Sequence, residues 1–528
     1  MFNIPEFLGL DGPLAQELSG YEFRQPQLDM AQAIDQAFTK RQNLSVEAPT
    51  GVGKSVGYLV PAIKHCAGED KPRTIVTTAN IVLQEQLITK DLPLLEKVSP
   101  VKFKYALVKG KSNYLCQRVS QKYLESPEYD DLKYGITREK EKEQTSAIVD
   151  WMQDTEIGDK SELDFEPLSN VWQNFTCGYD DCLGRRCTHM GCFVKKARAE
   201  LGKTDIIVCN YHLLFTDLQY GVGILPTYSF LVCDEGHNIA KIARHFLGWE
   251  IGEKSFRKIV KFCKTFSDAF SVGGSNFNIL LDKIQVETTV LWKNFSSLIG
   301  KMDTKRFLNP NAFSTKLPGL IDDLLDYIKD FLERSHIGDE PKAELQKVAE
   351  RVNRYASFLV GTIELIDASN SVYFLARRGG RTYLHMHKID VSSYLKDELF
   401  KGLDSTVITS ATLGVGGNCA YVKDQIGLEA EDQILPSPFN FATQCAIMAS
   451  GSAPDPTDTE NYSRHVAKCV SHIIKQARGR TLGLFTSYKN LNVTKEYLTK
   501  KLNGYNLLCQ GDAPRMKLVK DFKKDINS

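Results

Sequence analysis

The sequence predicts an α/β protein built on parallel β-sheet, and three stretches carry that prediction. Asn43 to Lys64 reads as a short apolar strand, a glycine loop and an apolar helix. Tyr228 to Cys233 is a second apolar strand, and it ends in Asp234-Glu235-Gly236-His237. Strand–helix alternation then resumes at Ser405 and again at Thr481. Strands that alternate with helices are parallel, because a helix is the short way back to the same end of a sheet.

The composition fits that class. The chain has 528 residues, 42% hydrophobic and 25% charged, which at ~150 residues per domain gives three to four domains. The formal net charge is +1, so a surface for an anionic polymer must be local. No apolar run reaches the ~18 residues of a membrane span, and MFNIPEFLGLDG lacks the basic and apolar regions of a signal peptide. These features predict a cytoplasmic protein with no membrane partner. Thirteen cysteines in that compartment predict metal ligands or buried thiols rather than disulfides.

In chain order, the first helix is amphipathic, with Leu28, Ala31, Ile34 and Phe38 on one face. Arg24 and Gln27 stand at its start. A glutamine amide can donate and accept together at an adenine edge; the alternative is a polar pair at a helix entry. The loop Ala48-Pro49-Thr50-Gly51-Val52-Gly53-Lys54-Ser55 follows. Its glycines let backbone N–H groups turn around a polyphosphate at a helix N-terminus. Lys54 can reach terminal phosphates, and the Ser55 hydroxyl can hold Mg²⁺. Arg73–Thr78 is the next strand, followed by a helix over 80–89. Thr77, Thr78 and Asn80 lie at its carboxyl end, where open α/β sheets bind ligands.

From Lys109 the pattern changes. KGKSNYLC ends at Cys116, a charged segment follows, and Cys177, Cys182, Cys187 and Cys192 then recur every five residues. Clustered thiols in a loop-rich insert predict a metal centre. Zinc, with His189 as a fourth ligand, and an iron–sulfur cluster both suit the residue types. Basic residues flank the cysteines: Lys102, Lys104, Lys109 and Lys111 before them, and Arg185, Arg186, Lys195, Lys196 and Arg198 among them. They describe either a local surface for an anionic polymer or a solvated charged face.

Asp205–Cys209 returns to strand, and the next strand delivers the acidic pair. Asp234 can hold a metal, and Glu235 can accept a proton from an attacking water. His237 can couple the pair to a neighbouring group. Residues 241–370 read as helical, with one stripe of Leu320, Leu324, Ile328, Phe331 and Leu332 and another of Leu345, Val348, Val352, Tyr355, Leu359 and Ile363. Val372–Leu384 reads as a hairpin turning at Arg378-Gly379-Gly380. Ser405–Ile408 is a strand capped by Thr409-Ser410-Ala411-Thr412-Leu413, and Pro436-Ser437-Pro438 is a linker. Thr481–Phe485 and Tyr505–Cys509 are the last two predicted strands.

Taken together, YEFRQPQ, APTGVGKS, IVTTAN, KGKSNYLC, CLGRRC, DEGH, ITSATL, LPSPFN, LFTSY and LLCQGD resemble, in order, the motifs of superfamily 2 helicases of the XPD/DinG group. KGKSNYLC with CLGRRC is similar to bacterial and phage DinG-like helicases. The resemblance implies two RecA-like parallel-sheet domains, the second incomplete, with an iron–sulfur insert and a helical arch insert. The implied division is 1–109, 204–240 and 401–445 for the first RecA-like domain, 110–203 for the cluster insert, 241–400 for the arch and 446–528 for the second RecA-like domain. It implies ATP and Mg²⁺ as ligands, with Arg24, Gln27 and residues 50–55 on the nucleotide, Ser55 and Asp234 on the metal, and Lys54, Asp234, Glu235 and His237 in catalysis. It implies a [4Fe–4S] cluster on Cys116, Cys182, Cys187 and Cys192, with Cys177 a spare thiol. DEGH stands where the family has DEAH.

The implied activity is ATP-driven 5′-to-3′ translocation on single-stranded or forked DNA, or on DNA–RNA hybrids. In the family the second RecA-like domain runs beyond LLCQGD into a segment with an arginine that completes the ATP site. That segment does not follow here, so the expectation is nucleotide binding with slow turnover, restored by a partner chain carrying the missing motifs. The competing expectation is a non-hydrolysing ATP- and DNA-binding module.

Overall fold

The computed structural model describes residues 2–66, 72–79, 81–126, 128–129, 139–220, 223–334, 336–513 and 515–525. Two compact units divide the chain, one ending at Phe439 and the other beginning at Asn440.

The first unit is organised on a seven-stranded sheet. Its strands are β1 (Leu44–Glu47), β2 (Thr74–Thr78), β3 (Tyr105–Leu107), β4 (Ile206–Asn210), β5 (Phe230–Asp234), β10 (Ser405–Ser410) and β11 (Glu431–Ile434). They lie in the order β11-β1-β10-β5-β2-β4-β3, and every pairing is parallel. The central strands are buried on both faces, which is why they read as continuous apolar runs. Alternate residues serve opposite cores. Val46, Val76, Val208, Val232 and Val407 pack with Met30, Ile34, Phe38 and Leu59. Ile75, Ile207, Leu231, Cys233 and Ile408 pack with Leu214 and Ile239 on the other side. Register aligns Glu47 with Ser410 and Thr409 with Asp234, so three strands end at one rim.

The helix after β2 begins at Ile81, widens to π winding over Leu87–Asp91 and returns to α up to Val98. Asn80 lies outside the described residues. The cysteine insert carries helices Gln117–Leu124, Glu139–Asp154 and Phe193–Leu201 around a small core of Tyr114, Leu115, Ile148, Trp172 and Phe175.

Helices Glu253–Phe270, Gly274–Ile299, Leu317–Glu333 and Asp339–Glu364 form the long helical region. Both predicted stripes face its core: Leu324, Ile328, Phe331, Leu345, Val348, Val352 and Leu359 are buried, and Leu320, Leu332, Tyr355 and Ile363 are half-buried against them. The reading of 241–370 as helical throughout is corrected by β6 (Trp249–Gly252) and β7 (Thr304–Arg306). These flank the hairpin β8 (Ser371–Arg378) and β9 (Arg381–Lys388) in an antiparallel sheet ordered β6-β9-β8-β7. Strands this short form because partners more than sixty residues away supply their hydrogen bonds, and no local periodicity announces that.

In the second unit, helices Thr459–Ala477 and Tyr488–Lys501 pack through Ile474, Leu498 and Leu502. The strands predicted at Thr481–Phe485 and Tyr505–Cys509 are not formed; among the described residues of this unit there is no strand, only an isolated bridge from Gln510 to Ala513. Leu482 and Leu484 there are 73% and 87% exposed, so these apolar runs lack the second layer that would fix them as buried strands.

Candidate active site and cysteine cavity

The rim where β1, β10 and β5 end gathers the chemistry. The loop after β1 turns at Gly51 (φ +91°) and Gly53 (φ +88°), values that L side chains rarely adopt. The Ala48 N–H donates to the Ser410 carbonyl at 2.9 Å, anchoring the loop to β10. Gln27 is 6% exposed, and its Nε2 donates to the Gly53 carbonyl at 3.0 Å. Gln27, expected at an adenine edge, therefore sits under the loop and holds its Gly53 carbonyl. Arg24 does not join it: its guanidinium donates to Glu22 at 3.1 Å. Phe439 packs on Gly51, so a Cβ there would lie 2.3 Å from the ring. Val52 is buried and Thr50 is exposed.

Lys54 begins the helix Lys54–Cys66 and reaches across to Glu235, Nζ to Oε1 at 2.9 Å. Glu235 sits at φ +53°, a left-handed backbone uncommon for a residue with a side chain. That turn carries its carboxylate away from the line of β5 and toward the loop. Its other oxygen accepts from Ser410 Oγ at 3.0 Å, and His237 Nδ1 lies 2.7 Å from the same hydroxyl. Burial works to raise the Glu235 carboxyl, but Lys54, Ser410 and His237 prevail and hold it below the usual range.

Asp234 behaves in the opposite way. It is 3% exposed, and burial pushes its carboxyl up to about 6 against the pull of Lys54. One oxygen accepts the Glu235 N–H at 2.9 Å, and the other accepts the Tyr58 hydroxyl at 3.3 Å. Ser55 faces Asp91, whose carboxyl is raised by burial and held by hydrogen bonds from Gln86 and Ser55. Tyr58 and Asp91 escaped sequence reasoning. Tyr58 reads as one more apolar helix position, and the π turn that places Asp91 leaves no sequence signature. Ser410 read only as a strand cap. At Gly236 a Cβ would meet the Ile408 Cβ at 3.3 Å, so an alanine there requires Ile408 to give by a few tenths of an ångström.

The predicted ligands Cys116, Cys182, Cys187 and Cys192 line one cavity of about 750 Å³, together with His189, Lys111 and Arg118. Cys177, read as a spare thiol, lies among them and is 6% exposed. Hydrogen bonds from Cys177 lower the thiol pKa of Cys116 to about 6 and of Cys182 to about 4, while Cys177 itself is raised. Among the described residues, no three of His, Cys, Asp and Glu are arranged to hold a single metal ion. The insert is braced against the helix Asp339–Glu364 by Arg118 with Glu344, Arg351 with Asp181 at 2.5 Å, and Arg354 with Asp180 at 2.7 Å.

The flanking basic residues divide. Arg185, Arg186 and Lys195 are exposed at the cavity wall, and Lys196 is exposed over the Phe193 ring. Lys109 is bound to Asp159 at 2.7 Å, and Lys111 lies over the Tyr179 ring at 4.6 Å. Lys102 and Lys104 lie apart, just ahead of β3.

Residues 28–125 match the DEAD/DEAH box helicase family. The chain is 27% identical over 545 residues to the ATP-dependent DNA helicase YoaA of Haemophilus influenzae, covering 100% of this chain and 80% of that protein. It is 29% identical to YoaA of Escherichia coli strain K12 (97% and 79% covered) and 28% identical to the ATP-dependent helicase DinG of Mycobacterium tuberculosis (99% and 79%). Among solved structures, an XPD helicase aligns over 95% of this chain and 78% of its own, at 14% identity and a TM-score of 0.49.

Proposed function

We propose that this chain, which belongs to the XPD/DinG group of DEAD/DEAH-type helicases, is an ATP-dependent DNA helicase that moves 5′ to 3′ along single-stranded DNA. The observation that carries the reading is the Lys54–Glu235 contact, with Ser410 and His237 behind it. It joins a phosphate-loop lysine to an acidic pair on a different strand, the two halves that polyphosphate hydrolysis requires. ATP would draw Lys54 onto its terminal phosphates and leave Glu235 free to take a proton from water. Ser55 and Asp234 would hold Mg²⁺, and a cation there would offset the burial that lifts the Asp234 carboxyl. Gln27 supports the loop, and adenine reading belongs to its amide. The test is Glu235→Gln: ATP binding should persist while DNA-stimulated hydrolysis falls by about 10²–10⁴. Unchanged turnover would remove Glu235 from the chemistry.

A [4Fe–4S] cluster on Cys116, Cys182, Cys187 and Cys192 belongs to the same reading. The donor set supports it: the cysteines share one cavity, the thiols of Cys116 and Cys182 are lowered, and Lys111 and Arg118 offer positive charge. A four-iron cluster takes its thiolates on separate irons, so they need not converge on one point. The bound group would stiffen the insert against the helical region, which we assign as the arch.

The substrate we propose is single-stranded or forked DNA, with DNA–RNA hybrids as a further substrate, in the cytoplasm. No helix among the described residues is long and apolar enough to cross a membrane. We also propose that a further polypeptide covers part of the second unit, where Ile447, Met448, Leu482 and Leu484 stand exposed.

A further inference from the structure

We propose that Cys177 is a fifth ligand-competent thiol of the cysteine cavity, able to stand in for Cys116 or Cys182. The inference rests on the iron–sulfur reading above and concerns what this chain adds to it.

The backbone dictates the juxtaposition. Leu115 and Thr176 form an antiparallel bridge, and the Cys116 N–H donates to the Phe175 carbonyl at 2.8 Å. Cys116 is therefore opposite Phe175. Cys177, the residue after the bridge, lines the same cavity as Cys116. It is the diagonal neighbour of Cys116, within side-chain reach. The Cys182 N–H donates to the Gly178 carbonyl at 3.1 Å, and that turn folds the next cysteine back over Cys177. The result places the Cys177 side chain on the wall of the cavity that Cys116 and Cys182 also line.

Cys177 is also poorly placed to be an ordinary core thiol. It forms no part of the apolar core of the insert, and it lies on the cavity wall with the other four cysteines. Its one backbone acceptor is the Gly178 carbonyl at 3.4 Å. Five-residue spacing runs unbroken through Cys177, Cys182, Cys187 and Cys192, so the chain can offer three consecutive thiols in either of two frames. Exchange needs no oxidant: Cys177 gives up its proton as its sulfur binds iron, and the cysteine it replaces takes one up.

The experiment measures iron and acid-labile sulfide in anaerobically purified full-length protein. Alanine is used because a serine oxygen could itself bind iron. Cys116→Ala and Cys182→Ala should each retain most of the wild-type iron. Adding Cys177→Ala to either should cut iron by roughly ten-fold, because only three thiols remain for a four-thiol site. Binding of a fluorescent ATP analogue at the phosphate loop reports that each variant is folded, and the Cys182 series decides if the Cys116 series is not. A single variant that loses iron as completely as its double partner overturns the inference. Iron-free wild-type protein overturns the cluster reading instead.

Discussion

Gly53→Ala tests how the phosphate loop is seated. At φ +88° an L residue carries backbone strain of about 1–3 kcal/mol. The new Cβ would also lie 2.1 Å from Gln27 Nε2. Gln27 is 6% exposed and cannot swing into solvent freely, so its bond to the Gly53 carbonyl is lost, at about 1 kcal/mol. The two costs give about 2–4 kcal/mol, and at about 2 °C per kcal/mol the apparent melting temperature should fall roughly 4–8 °C. Gln27→Ala removes the clash and the bond with it, so Gly53→Ala should cost about 1 kcal/mol less in that background. The assay is a double-mutant cycle read by thermal melting and by titration with a fluorescent ATP analogue. Strict additivity would refute the argument, because the Gln27 amide would then not be what Gly53 accommodates.

Lys54→Ala should abolish measurable ATP binding, and it should release Glu235 toward the ordinary carboxylate range; retained affinity would argue against the phosphate-loop reading. Arg185→Ala with Arg186→Ala should weaken single-stranded DNA binding and flatten the slope of log affinity against log salt by about 1.4, since each phosphate contact contributes about 0.7. An unchanged slope would return these arginines to the solvated face. His385 and His387 are both lowered, first by burial, with neighbouring histidines adding to it and Glu250 opposing it. A histidine held neutral in the fold contributes stability that is complete above the unfolded value of 6.5 and lost as pH falls below it. The melting temperature should therefore drop between pH 7 and pH 5, and His385→Gln with His387→Gln should flatten that drop; an undiminished slope would place the acid sensitivity elsewhere.

The sequence by itself determined the elements whose signal is local. The strand, glycine loop and helix around Lys54 are written in consecutive residues, as are the buried strands β2, β4, β5 and β10 and the apolar stripes of the long helices. The candidate site residues were legible for the same reason: Lys54, Asp234, Glu235 and Gln27 each sit beside a strand end or a helix start that patterning locates. Only the tertiary structure decided what depends on contact across distance. Parallel order placed β10 between β1 and β5, and that alone brought Ser410 to Glu235, 175 residues away. Short strands such as β6 and β7 needed a hairpin formed much later in the chain. In the second unit, apolar runs that read as strands found no second layer and stayed unpaired. Cys177 belongs with Cys116 because a bridge spans sixty residues of insert, and spacing along the chain carries no record of that bridge. Propensity and periodicity are properties of neighbours in sequence, whereas register, burial of a carboxylate and convergence of thiols are properties of neighbours in space.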